Sequence, residues 1–174
     1  MRDVWEAIAA GAAEESSLWE NCLVPSAARE RCAVFSPLAE ERYALGLETI
    51  YEGYLVHYGS SRLFAPADSD AALLLGDYLY AHGLVRVAAE QEVGAVADLS
   101  ELISLCSQLR AEHAEGDGSL WAATAALLGT GTLDEPRSAL RLRGDASALD
   151  ALAREAAGDG AVDRALAAHV TRLR

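Results

Sequence analysis

Ser69–Glu90, SDAALLLGDYLYAHGLVRVAAE, is the stretch on which the fold turns. Its apolar residues Leu73, Leu74, Leu75, Tyr78, Leu79, Tyr80, Leu84, Val85 and Val87 point almost all the way round when successive residues advance as in a helix. A half-buried strand would alternate with period two, and this segment does not. The stretch predicts a helix with no broad polar face, enclosed by other helices. Asp77 lies inside the apolar arc, between Leu73, Ala81, Leu84 and Ala88. A carboxylate buried there must be paired, hydrogen-bonded or protonated, because an isolated buried charge is costly. Arg62, a tyrosine of the preceding helix or free backbone amides are its candidate partners. Two roles stay open for Asp77: a tie between helices, or a polar group facing a central cavity.

Outward from this helix, three- and four-residue apolar spacing predicts helices near 2–12, 15–23, 26–34, 37–58, 93–114, 118–128, 135–143, 146–156 and 160–173. Alanine, leucine, arginine and glutamate dominate, and all four favour helices. Pro25, Pro37, Pro66 and Pro136 fall where segments begin or break. The expected class is all-α, an antiparallel helical bundle. Residues 1–130 are read as its core and 131–174 as a C-terminal helical extension on or beside it, with 129–134 as the natural hinge. The last two segments carry narrow alanine-rich stripes through Leu149, Ala153, Val162 and Ala165, suited to capping the bundle.

Composition removes several functions. The 174 residues carry a formal charge of −13, with 27 acids, 14 arginines and no lysine. A phosphate backbone needs clustered cations, so nucleic acid is not an expected partner. An anionic membrane face is disfavoured for the same reason. No run approaches the roughly 18 uncharged apolar residues of a spanning helix. Cys22, Cys32 and Cys106 are an odd number in a chain too large to need disulfides, which suits reducing cytoplasm. The opening MRDVWEAIAA lacks the pattern of a secretory signal, so a cytoplasmic protein is expected. Cys106 falls with Leu99, Leu102 and Ile103 and reads as an inert buried thiol. His57, His82, His113 and His169 form no metal-ligand spacing.

The segment 37–58 places Tyr43, Tyr51, Tyr54 and Tyr58 on one face, within about 80° of arc. Such a stripe is either core packing with hydroxyls at the edge, or one wall of an apolar pocket with polar tips. Tyr51, Tyr54, Tyr58, Arg62, Asp77 and Tyr78 are the candidate cavity residues. Glu48 and Glu52 lie on the flank of the stripe at i, i+4, beside Glu41. They repel unless a cation sits between them, so they are read as a solvated acidic edge and only weakly as metal ligands. Arg137, Arg141 and Arg143 form a local cationic cluster, either a solvated face or a weak anion-binding site.

Leu74-Leu75-Gly76-Asp77-Tyr78-Leu79-Tyr80-Ala81, preceded by Tyr58-Gly59 and Leu63-Phe64, resembles the GDYL-x-A stretch of trans-polyprenyl diphosphate synthases. The resemblance spans residues 37–115 and implies a shortened form of the all-α isoprenoid synthase fold. Enzymes of that family hold magnesium and diphosphate through two DDxxD motifs, with lysine and arginine gripping the second diphosphate. This chain has no Asp-Asp pair and no lysine; Ile50-Tyr51-Glu52-Gly53-Tyr54 stands where the first motif belongs, and Arg62 stands alone where the family has an arginine pair. It also ends before the place of the second motif.

The resemblance is therefore to the small non-catalytic subunit of heteromeric long-chain synthases, or to a homodimeric pseudoenzyme. It implies a catalytic synthase subunit or a second copy as protein partner, an isoprenoid or other lipid as possible ligand, and no cofactor. Two alternatives stand beside it. One is a helical protein-interaction domain with no isoprenoid role. The other is a divergent prenyltransferase using Glu48, Glu52 and Asp77 on magnesium. A cavity beside Tyr54 and Asp77 would favour ligand binding, and a filled core there would favour protein interaction.

Overall fold

The computed structural model describes residues 3–173. Among them the chain is all-α, with nine helices and no sheet. In order these are α1 (Val4–Glu15), α2 (Ser17–Cys22), α3 (Ala44–Tyr58), α4 (Ser69–Ala88), α5 (Val93–Ala111), α6 (Asp117–Ala126), α7 (Asp134–Arg143), α8 (Ser147–Ala157) and α9 (Asp159–Val170). Local chemistry sets several of the ends. Asp3, Ser16 and Asp68 accept from the amides of Trp5, Leu18 and Ala71, capping α1, α2 and α4. Gly144 closes α7 in the left-handed region, at φ 67°. No helix among the described residues is long and apolar enough to cross a membrane.

The expected helix over 26–34 does not form; only the single 3-10 turn Ser26–Ala28 does. Its backbone groups are claimed by the loop after α3. Glu30 N donates to the Arg62 carbonyl at 3.1 Å, and the Arg62 guanidinium takes the Cys32 carbonyl at 2.7 Å. Tertiary partners thus satisfy groups that a helix would have paired locally. The segment 37–58 likewise starts with 3-10 turns at Ser36–Leu38 and Glu41–Tyr43 before α3 begins.

Glycine fixes how α3 meets α4. The two run antiparallel, with Gly46 opposite Gly83 and Gly53 opposite Gly76. A Cβ on Gly53 would lie 2.9 Å from the Gly76 carbonyl oxygen, and one on Gly83 would lie 3.0 Å from that of Gly46. The backbones can approach so closely only because neither side carries a side chain. The seam buries Leu75, Gly76, Leu79, Tyr80, Gly83 and Val87. The enclosed position expected for α4 is therefore corrected: its opposite arc, with Leu73, Leu74, Asp77, Ala81, Val85 and Ala88, faces solvent.

The main core gathers Leu47, Ile50, Tyr51 and Tyr54 of α3, Leu99 to Leu109 of α5 and Trp121 of α6. Leu140, Leu149, Ala153, Val162 and Ala165 enter the same core, so α7, α8 and α9 pack into it. The loop expected to hinge is pinned: Gly129 N donates to Asp98 at 2.7 Å, and Asp98 in turn holds Arg137 at 2.7 Å. A smaller cluster packs Trp5, Ile8 and Ala12 of α1 against Val56, Leu63, Phe64, Leu75 and Leu79. The loop after α3 binds both distant segments of the chain. Phe64 bridges to Leu23 and Gly59 to Leu173. Three backbone bonds reinforce it: Val24 N to Leu63 O at 2.9 Å, Ala65 N to Cys22 O at 2.7 Å and Ser60 N to Arg172 O at 2.8 Å.

Candidate functional site

The tyrosine wall of α3 is filled. Tyr51 and Tyr54 are fully buried, with Trp121 at 5.1 and 5.6 Å between ring centroids and Phe35 at 5.3 Å from Tyr51. Their hydroxyls are used inside the protein. Tyr51 pairs with His169 Nδ1 at 2.9 Å; Tyr54 donates to Asp117 and accepts from Arg110 Nε at 2.8 Å. Burial, then the nearby Asp117 charge, pushes the Tyr54 phenol far above its ordinary range. Burial alone would raise the Asp117 carboxyl too, but bonds from His169 and Tyr54 and the Arg110 charge hold it well below the usual range. Tyr58 is half-buried beside Tyr54, at 5.3 Å between rings. The stripe is packing, and its hydroxyls tie α3 to α5, α6 and α9.

Glu48 and Glu52 are not a solvated edge. Both are buried, and the cation between them is Arg62. Its Nε donates to Glu52 at 2.5 Å and its Nη1 to Glu48 at 2.7 Å. Ser61 Oγ adds a bond to Glu52 at 2.5 Å, and Ser36 N one to Glu48 at 3.4 Å. The guanidinium stacks 4.5 Å from the Trp5 ring and 5.1 Å from that of Tyr51. Burial alone would lower the Arg62 pKa, but Glu52 and Glu48 carry it above its ordinary value. With both carboxylates occupied in this way, neither presents an open edge to a metal.

Asp77 is the second correction. Its neighbours on the helix are the expected ones, but that arc is the exposed one: its side chain is 66% exposed and meets His57 Nε2 at 3.3 Å. A Cβ at Gly76 would collide with the same ring. Gly76-Asp77 therefore works as a seat for His57, one residue giving room and the other a carboxylate. Tyr78, on the other side of α4, stacks on Trp19 at 5.7 Å and donates to the Gly11 carbonyl at 3.2 Å. The six candidate cavity residues do not converge on one space. Glu48, Glu52 and Asp77 are also held apart, and among the described residues no three His, Cys, Asp or Glu side chains gather to hold a metal ion.

The arginine cluster of α7 is dispersed as well. Arg137 turns inward to Asp98 and Thr124, Arg141 pairs with Glu101 across to α5, and Arg143 is left exposed. No common anion site is formed by the three.

What the fold leaves unused is the outer face of α4. Leu73 and Leu74 are each 55% exposed and Val85 66%, in one line with Ala81 and Ala88. Val93, at the start of α5, is exposed as well. The exposed charges between Ser69 and Gly94 are Asp70, Asp77, Glu90 and Glu92, all negative. Arg86, the one cation of this stretch, turns away to Thr49 and the Ala7 carbonyl. The chain matches no known protein family, curated protein or solved structure. Isolated exposed apolar residues are ordinary; here they form a line rimmed by one sign of charge. Hydropathy alone missed this face, because an all-round apolar helix looks buried on every side. The seven-residue spacing of Gly76 and Gly83, matched by Gly46 and Gly53, is the signal that would have found it.

Proposed function

We propose that this chain is a non-catalytic, partner-binding helical subunit, akin to the small component of heteromeric polyprenyl diphosphate synthases. The observation that carries the reading is the bare apolar outer face of α4, on the same helix as Gly76-Asp77-Tyr78. Two further features support it. The filled tyrosine wall favours protein interaction over a ligand cavity at that place. Glu48 and Glu52 are held by Arg62, which argues for architecture over metal chemistry. The partner is a catalytic synthase chain offering an apolar helix face flanked by arginine or lysine. A second copy fits poorly, since it would set Asp70, Asp77, Glu90 and Glu92 against acids of a chain that itself carries −13. A 20-residue α4 spans about 30 Å, enough to run through an interface of roughly 800 Å² a side.

Light scattering on the chain, alone and mixed with a catalytic long-chain prenyl diphosphate synthase subunit from the same genome, tests the reading. The expected result is a monomer alone and a heteromer in the mixture, with Leu74→Ser/Val85→Ser weakening the heteromer at least about tenfold. A chain that stays monomeric in the mixture overturns the proposal. Stable self-pairing through α4 transfers it to the homodimeric relative instead.

A further inference from the structure

A second feature lies on the far side of α4. A groove of about 1370 Å³ runs along α1, between that helix, the start of α3 and the last turns of α4. Its walls carry Val4, Ala7 and Ala10 on one side and Ala44 and Leu45 on the other. His82 and Arg86 line it from α4. Arg86 is unlike the other arginines among the described residues. Nine of them meet a carboxylate: Arg29, Arg31, Arg42, Arg62, Arg110, Arg137, Arg141, Arg154 and Arg172. Arg143 and Arg164 are exposed, where water serves. Arg86 is half-buried, and its partners are neutral, the Thr49 hydroxyl and the Ala7 carbonyl. Burial lowers its pKa with no carboxylate to restore it. In a chain with 27 acids, this guanidinium stands without a carboxylate partner at the wall of the groove. Two of its five N–H groups serve Thr49 and Ala7, which leaves three for something else.

We propose that this groove binds an amphiphile with a single carboxylate head and an alkyl body, the head on Arg86 beside His82 and the body along Val4, Ala7 and Leu45. The walls choose the body. Val4, Ala7, Ala10, Ala44 and Leu45 offer methyl and methylene surface, which an alkyl chain covers without needing hydrogen-bond partners of its own. Gly11 opens the floor: a Cβ there would lie 2.9 Å from Arg86 Nη2 and 3.5 Å from the His82 ring. The rim chooses the head. Asp3, Glu6 and Glu48 of the lining are paired with arginines, and Arg42 is taken by Glu40. Glu14, Glu15 and Glu41 are exposed with no cationic partner among the described residues, so a dianion is repelled more strongly than a lone carboxylate that meets Arg86 in a charge-assisted pair. This site is independent of the α4 outer face and stands or falls apart from the partner reading.

The test is calorimetric titration of the full chain with sodium decanoate below its micellar concentration. Decanol serves as the neutral probe, and Arg86→Gln and Ala10→Phe as variants. Ala10→Phe fills the groove from an exposed position and leaves the Arg86 tie intact, so it reports even where Arg86→Gln weakens the fold. The expected result is one decanoate per chain, binding at least about tenfold weaker in Arg86→Gln and weaker again than wild type in Ala10→Phe. An absence of binding to the wild-type chain overturns the site. So does undiminished binding in both variants, or decanol binding as tightly as decanoate.

Discussion

At the scale of single residues, Arg62 joins several distant parts of the structure. It neutralises two carboxylates buried one helical turn apart, stacks on Trp5 and takes the Cys32 carbonyl, so α1, the 30s segment and α3 all depend on it. Removing one member of a buried ionic group is worse than removing all of it, because the remaining charges stay desolvated. Arg62→Met should therefore cost about 3–5 kcal/mol, read as a fall in the urea midpoint. Adding Glu48→Leu and Glu52→Leu to that variant should recover much of the loss. A single Arg62→Met that unfolds like wild type would show that the triad carries little.

At the scale of elements, the α3–α4 seam tests whether glycine or hydropathy decides which arc is buried. Gly83→Ala gains up to about 1 kcal/mol of helix propensity but pushes a methyl into Ile50 and the Gly46 carbonyl, and overpacking of that kind costs about 1–3 kcal/mol. The expected net is destabilisation, whereas Leu74→Ser on the outer arc should change stability by no more than about 0.5 kcal/mol. Thermal melts of the two variants separate the arcs, and equal losses would mean the outer arc is not free. The same seam shows what the amino-acid order could and could not reveal. Periodicity located α3 to α9, since three- and four-residue spacing is enough to make a helix. It could not orient α4, where every direction is apolar and only the paired glycines distinguish front from back. It also misplaced a helix at 26–34, because the bonds that hold Glu30 and Cys32 extended come from Arg62, far along the chain. For the same reason Glu48 and Glu52 announced that they needed a cation without naming it. Arg62 lies in a loop, and loops are placed by the finished fold.

For the whole molecule, acidity acts in opposed directions. Lowering the pH reduces the −13 net charge and with it the self-repulsion of the folded chain. His57 works the other way. Burial lowers its pKa below the ordinary 6.5 in spite of the Asp77 carboxylate, so the fold favours the neutral ring. As pH falls below about 6.5 the unfolded chain takes up this proton first, and folded stability declines until the ring's lower native value is passed. The contribution is complete above about 6.5 and gone below the ring's native value. The difference in melting temperature between the wild-type chain and His57→Gln isolates the effect: the wild type should lose ground to the variant between pH 7.5 and 5 by roughly the amount one depressed histidine supplies. Parallel curves would remove His57 from the balance.

The loop between α3 and α4 also orders events in time. The α3–α4 hairpin needs only residues near one another along the chain, and its glycine seam can zip from the turn outward. The loop at its tip is different, because its backbone partners are Cys22 and Val24 on one side and Arg172 and Leu173 on the other. Contacts between such distant residues must overcome the entropy of closing long loops before they return any stability. On this entropy argument the α3–α4 seam is expected to form before the tip's contacts with Arg172 and Leu173, an order that pulsed hydrogen exchange on refolding would read as earlier protection in α3 and α4 than at Ser60.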